Sequence, residues 1–377
     1  MLKIEATLKI ERLLIRNYKS IQKLDLTFNQ INIMIGGNGV GKSNLISYFK
    51  FLNKIVNSEL NAFVAQQNGA DDFLYFGRKT SERMASRIYF ENKSYENYYD
   101  FSLIPTNDDG FVFLQEKIAY LSKEKWIVKD IHKSGSEETN IHGYNEEDTN
   151  IFGTKRGISH YILDAFKSFK IYHFHDTSDT AKLKGYCPVD DNRFLREDAS
   201  NLAAFLYLLQ EKFPTNFKQI EGVIKTIAPY FSRFNLNRNQ LNPERIRLEW
   251  LEQGSDKYFN AHSLSDGTLR MMCLVTLLLQ PAPPATIIID EPELGLHPMA
   301  IQLLASIIKS ASLKTQIITS TQSVTLINQF TPDDVIVVER ENGESVFRHI
   351  GADELEGWKE DYALGEIWEK NLIGGRP

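Results

Sequence analysis

The chain has 377 residues, with 43 Lys and Arg against 49 Asp and Glu and a formal net charge of −6. That length buries a large core in one domain or two, and the charge balance excludes a global basic field that would draw nucleic acid or anionic lipid, leaving only a local patch for such partners. Two cysteines, Cys187 and Cys273, are too few for a disulfide framework and read as reduced thiols of a cytoplasmic protein.

Ile4, Ala6, Leu8 and Ile10 alternate with polar residues, which predicts a strand and gives no signal-peptide core. Ile31, Ile33, Met34 and Ile35 predict a buried strand. Gly36 to Ser43 follows as GGNGVGKS, matching the phosphate-binding pattern G-x-x-x-x-G-K-[ST] at every fixed position. Glycines let the backbone curl so that N–H groups face phosphate oxygens. Lys42 neutralises β/γ charge, and the Ser43 hydroxyl is a ligand for Mg²⁺. Leu45, Phe49, Leu52 and Val56 recur at helical spacing, so a helix N-terminus aims at the anion. Gly36, Asn38, Gly39, Val40, Gly41, Lys42, Ser43 and Asn44 form the expected nucleotide-binding set.

Beyond about Asn57 the pattern changes. Arg87–Glu91, Tyr98–Ile104, Phe111–Tyr120 and Trp126–Ile131 are aromatic and β-branched runs that predict antiparallel strands. Lys133–Asn150 is polar and reads as a loop whose acids form a solvated tip. His173 and His175, two apart and followed by Asp176, have a spacing that metal ligands on a strand share; a structural or hinge segment is the favoured reading. Ala199–Leu209 and Phe217–Ile227 predict helices, and Phe234–Arg238 and Arg245–Leu251 alternate like strands. Arg233, Arg238, Arg245 and Arg247 offer a phosphate-facing sheet surface. The interleaved Glu244, Glu249 and Glu252 favour a solvated face instead.

Ser265, Asp266 and Gly267 look like a helix N-terminus with a capping hydroxyl; such a start can be an anion site, but by residue types alone a plain cap on a core helix is the favoured reading. The apolar stretch that follows, Met271 to Leu279, is too short to span a bilayer. Ala285–Asp290 reads as an apolar strand ending in an acid, followed by Glu291. The strand end would place Asp290 in a magnesium shell and Glu291 where it polarises an attacking water.

The order of phosphate loop, long intervening segment, Leu264-Ser-Asp-Gly267, Asp290-Glu291 and Glu293-Leu-Gly-Leu-His-Pro298 resembles the ABC-type ATPase head of the SMC and RecF class. The resemblance implies that Ser265 and Gly267 bind the γ-phosphate of ATP held by an opposite subunit. Two heads then close a homodimer around two nucleotides, with Leu294–His297 at the seam. Asn17-Tyr-Lys-Ser-Ile21 is similar to the opening of such heads and makes Lys19 a nucleotide-site candidate. Tyr172–Ser178, Leu364–Trp368 and Gly374-Gly-Arg-Pro377 resemble short bacterial AAA-type ATPases related to OLD-like and other phage-defence systems. Those heads carry a switch histidine after the strand that follows the acidic pair. Gln322 stands at that place, able to sense a γ-phosphate or hold water but unable to become a cation.

The reading is therefore an α/β protein, an ABC-type P-loop head with a β-rich lobe and a small helical insertion before LSDG. Expected boundaries are 1–175, 176–256 and 257–377. It would bind ATP and Mg²⁺ and hydrolyse ATP, with Glu291 and Gln322 catalytic and Ser43 and Asp290 on the metal. No heptad run or C-x-x-C hook marks a coiled-coil arm, and no nuclease domain follows the head, so a separate effector protein is expected. Three roles stand open, a phage-defence regulator, a RecF-like clamp on duplex DNA and a nucleotide-locked scaffold, with an ABC transporter head a weaker fourth. Assembly beyond a dimer is open as well.

Overall fold

Alternating apolar residues at the start of the chain become the antiparallel pair β1 (Lys9–Tyr18) and β2 (Ile21–Thr27), which bury Leu13, Ile15, Leu24 and Leu26 on one face. The computed structural model describes residues 8–91, 96–143, 157–351, 353–355 and 362–376; Ile4, Ala6, the end of the polar segment at 144–150, and Pro377 lie outside them. Two compact units result. One comprises Met1–Phe169, Pro332–Tyr362 and Glu366–Pro377, the other Lys170–Thr331 and Ala363–Gly365.

In the first unit the chain continues through β3 (Ile31–Ile35), α1 (Lys42–Val56), α2 (Leu60–Gln66), β4 (Met84–Glu91), β5 (Glu96–Pro105), β6 (Phe111–Ser122), β7 (Lys125–Asp130) and α3 (Ile158–Ser168). A six-stranded sheet in the order β2-β1-β4-β5-β6-β7 is antiparallel throughout, so the expected β-rich lobe is present. Aromatic side chains fix α1 to this unit. The Tyr18 and Tyr48 rings meet edge-on at 4.7 Å, and Phe51 meets Phe73 at 5.2 Å. Such contacts add to the large area these rings bury and hold the helix that carries Lys42.

The second unit holds β8 (Phe169–Tyr172), β9 (Cys187–Pro188), α4 (Leu202–Lys212), α5 (Pro214–Ile227), β10 (Phe231–Phe234), β11 (Arg245–Ile246), β12 (Glu249–Glu252), β13 (Tyr258–Asn260), α6 (Asp266–Leu279), β14 (Thr286–Ile289), α7 (Pro298–Ser312), β15 (Gln316–Thr321) and α8 (Val324–Ile327). Strands β14 and β15 run parallel, Thr286 opposite Gln316 through Ile289 opposite Thr319. Helix α6 is apolar nearly all round, and its residues from Met271 to Leu279 are all buried, as a core helix requires. The chain then returns to the first unit with β16 (Val335–Glu341), β17 (Glu344–His349) and, from Glu366 on, α9 (Leu364–Glu369); β16 runs parallel to β3 and antiparallel to β17.

Two strand expectations need correction. Strand β10 stops at Phe234, and Asn235–Arg238 is not a strand: the Asn235 amide donates to the Glu249 carboxylate at 2.9 Å and Asn239 closes a turn onto Leu241. The run Arg245–Leu251 divides at Arg247–Leu248, because β11 pairs with β9 whereas β12 pairs with β10 and β13. The four arginines consequently share no sheet face. The Arg238 guanidinium stacks 5.3 Å from the Tyr207 ring. That of Arg247 lies 5.0 Å from Tyr186 and bonds to Glu249, while Arg245 donates to the Tyr186 carbonyl.

Candidate nucleotide-binding and hydrolysis residues

Every residue of β3 is buried, and the chain leaves it through three glycines of positive φ: Gly36 at 152°, Gly39 at 76° and Gly41 at 116°. Two of these have no room for a side chain. A Cβ at Gly36 would stand 2.3 Å from the Val338 carbonyl oxygen, and one at Gly41 would stand 2.1 Å from Ser345 Oγ. Because Gly41 caps α1 without a side-chain bond, and no acid occupies the first turn, the helix N-terminus is left for an external anion. Asn38, Gly39 and Ser43 are exposed there.

Lys42 is buried, with Nζ donating to the Gly36 carbonyl and to that of Gly37 at 2.9 Å. Its charge is thereby folded back onto the loop. A polar chain closes the other side. Asn44 Nδ2 donates to Ser20 Oγ at 2.6 Å, the Ser20 and Ser345 hydroxyls lie 2.6 Å apart, and Ser345 Oγ bonds the Val40 carbonyl at 2.5 Å. Arg340 Nη1 reaches the Gly39 carbonyl at 3.4 Å. Ser345 had no signal in the sequence, since β17, far along the chain, brings it to the loop; Ser20 lies in the opening segment Asn17-Tyr-Lys-Ser-Ile21 but was not singled out as a site residue. Lys19 occupies the β1–β2 turn at φ 46°, its ammonium 5.5 Å from the Phe73 ring and 5.7 Å from that of Tyr18. Burial lowers its pKa from the ordinary lysine value.

In the second unit, β14 delivers Asp290 and Glu291 to the end of β15. One serine, Ser320, serves both: its hydroxyl donates to Asp290 Oδ1 and accepts from the Glu291 N–H at 3.1 Å. Glu291 has φ 41°, an unfavourable backbone for a residue with a side chain, and these bonds help hold it. Gln322 Nε2 donates to Glu291 Oε1 at 2.5 Å. Structure therefore joins Asp290, Glu291 and Gln322 in one hydrogen-bonded cluster.

Glu293 completes that cluster and was not singled out as a site residue in the sequence. Its Oε1 accepts from Thr321 Oγ1 at 2.5 Å and from the Gln322 N–H at 3.1 Å, while its Oε2 is buried with no hydrogen-bond partner among the described residues. Burial raises its pKa above the ordinary glutamate value, with bonds from Thr321 and Gln322 opposing. A raised folded-state value means the neutral acid favours folding: this contribution is complete at acid pH, below the unfolded value, and fades as pH rises through the folded one. Glu293→Gln removes the titration and supplies an amide beside the orphaned position. Its melting temperature is expected to gain on wild type as pH climbs from 4 to 8; an unchanged difference across that range contradicts the assignment.

Ser265 caps α6, accepting from the Thr268 N–H at 3.2 Å, and is exposed. The turn after it touches the loop that follows the acidic pair, where a Cβ at Gly267 would stand 2.5 Å from the Gly295 carbonyl oxygen. Arg270, one turn on, donates to the carbonyls of Leu294 at 2.8 Å, His175 at 2.9 Å and Phe174 at 3.2 Å. His175 Nε2 bonds the Asp290 carbonyl at 2.9 Å, which gives the histidine segment a structural role. Strand β8 ends at Tyr172, before both histidines, and no group of three His, Cys, Asp or Glu is arranged for a metal among the described residues.

Comparison with solved structures shows the fold. An SMC head bound to the C-terminal winged-helix domain of ScpA superposes with a TM-score of 0.61 at 17% identity, covering 92% of this chain and 99% of that one. The SMC head with an extended coiled coil from Pyrococcus furiosus, bound to the C-terminal domain of ScpA, gives 0.59 at 15% identity, covering 94% and 99%. A head with coiled coil and joint from Pyrococcus yayanosii gives 0.53 at 13%, covering 92% and 98%. No curated protein matches the chain. Among the described residues no helix is long and apolar enough to cross a membrane. Residues 31–328 match the family described as "AAA domain, putative AbiEii toxin, Type IV TA system", and with its phosphate loop and SMC-head-like α/β fold the chain belongs to that family, AAA_21, as a P-loop ATPase domain.

Proposed function

We propose that this protein binds and hydrolyses Mg-ATP and uses its nucleotide state to switch assembly, as the regulatory ATPase of a phage-defence or toxin–antitoxin module acting on a separate effector. The observation that carries it is the phosphate loop, whose three left-handed glycines open an uncapped helix beside a lysine held on loop carbonyls. The hydrogen bond from Gln322 to Glu291 supports hydrolysis, because it orients a carboxylate oxygen at a strand end. The family description, with its AbiEii toxin and type IV system, supports the defence role.

Magnesium suits the donors present. It takes hard oxygen ligands, keeps several waters and needs one or two carboxylates beside the substrate phosphates. Exposed Ser43 and the Asp290 carboxylate would supply those oxygens, and the ion would neutralise charge on the phosphates. In the reaction Lys42 would grip β/γ oxygens and Glu291 would accept a proton from the attacking water. Gln322, neutral at all working pH values, would hold that base in place and sense the γ-phosphate.

Homodimerisation through composite sites is part of the proposal. Ser265 and Gly267 would act on ATP held by the partner, and Leu294 and Met299, 44% and 74% exposed, mark a face that a second copy would cover. The duplex-DNA alternative draws no support from a shared arginine face, since Arg238 and Arg247 stack on tyrosine rings and Arg247 also pairs with Glu249. The direct test is phosphate release by the purified chain. Turnover is expected with Mg-ATP and is expected to vanish when EDTA is in excess over the metal. Release at the same rate without divalent metal, or none with it, contradicts the proposal.

A further inference from the structure

The Gly374-Gly-Arg376 segment, conspicuous in the sequence, has no role in the reaction described so far. It is anchored tightly within the first unit. Trp368 is fully buried and its indole N–H donates to the Gly375 carbonyl, while Arg348 Nη2 donates to the Ile373 carbonyl at 2.8 Å. Gly374 and Gly375 take left-handed φ values of 73° and 61°. A Cβ on Gly374 would stand 2.6 Å from the Glu339 carboxylate oxygens, and one on Gly375 would stand 2.9 Å from Val337 Cγ1.

This anchoring lays the segment against the start of the phosphate loop. Val338, between the two residues just named, presents the carbonyl that excludes a side chain at Gly36. A Cβ on Gly375 would lie 3.6 Å from Gly36 Cα, and one on Gly37 would lie 2.9 Å from the Arg376 carbonyl oxygen. Gly37 is also the residue whose carbonyl receives Lys42 Nζ. In phosphate loops that lysine reaches the β/γ end of the nucleotide, so the Arg376 main chain borders the loop at that end.

Arg376 is exposed, and among the described residues it meets no carboxylate within ion-pair distance; the Glu339 and Glu354 carboxylates of this unit pair with Arg348 instead. An always-charged, planar guanidinium without an acidic partner, fixed by its backbone at the rim of an anion site, is suited to bidentate phosphate binding. We propose that Arg376 contacts the nucleotide and reads its terminal phosphate, so that the loop distinguishes a nucleoside triphosphate from a diphosphate. The proposal rests on the ATP-binding reading above and adds a specificity residue to it.

Calorimetric titration of the full chain with Mg-ATP and, separately, with Mg-ADP tests it. Arg376→Ala is expected to weaken ATP about ten-fold, the scale of one charged hydrogen bond lost, and to leave ADP unchanged. Arg376→Lys, which keeps the charge without the fork, is expected to fall between. An unchanged ATP-to-ADP affinity ratio in Arg376→Ala, or equal losses for both nucleotides, overturns the assignment while the wild-type chain still binds ATP. If the wild-type chain binds neither nucleotide, the ATP-binding reading falls first and the role of Arg376 with it.

Discussion

Glu291→Gln is expected to bind Mg-ATP as tightly as the wild type and to turn over about 10²- to 10⁴-fold more slowly, the usual contribution of a positioned general base. Geometry makes the substitution clean. The Glu291 backbone is held at φ 41° with its N–H on Ser320 Oγ at 3.1 Å, and neither feature depends on the carboxylate. The bond from Gln322 Nε2 to Glu291 Oε1 can be kept by the carbonyl of the new amide, so shape and packing persist while proton acceptance is lost. A loss seen in turnover and not in binding identifies an interaction made in the transition state. Steady-state phosphate release with parallel ATP titrations checks it. Hydrolysis by Glu291→Gln at the wild-type rate would mean that another group activates the water.

Lys42→Ala is expected to raise the dissociation constant for ATP about 10²- to 10⁴-fold, since two charged hydrogen bonds to phosphate, each of about 1.5–3 kcal/mol, are removed at once. The Lys42 ammonium is held between the Gly36 and Gly37 carbonyls, so the positive charge is already at the loop before nucleotide arrives. Alanine leaves those carbonyls without their donor, so a modest fall in melting temperature is expected as well. Measuring both quantities separates the effects: lost affinity in a protein that still melts cooperatively is the expected pair. Retained affinity would show that the loop does not bind the triphosphate.

What could be read from the sequence was what lies close together along the chain. Four apolar residues within a five-residue run, a glycine-rich loop and a helical repeat follow one another directly, and β3, the loop and α1 form as that order predicts. Ser265 likewise caps α6 through a residue three positions on. Contacts closed across long stretches were hidden. Ser345 shuts the phosphate loop from a strand three hundred residues later, and nothing in its neighbourhood marks it. Glu293 stood in plain view beside the acidic pair, but its link to Gln322 depends on β14 and β15 lying side by side. Alternation also misjudged Asn235–Arg238 and Arg247–Leu248, because it reports which faces are apolar and not which strand supplies a partner.

Nucleotide-driven assembly is tested most directly by light scattering on Glu291→Gln, which would hold ATP without consuming it. Its molar mass is expected to be that of a monomer alone and to double when Mg-ATP is added. A mass that does not respond to Mg-ATP would contradict the switch and the in-trans role of Ser265.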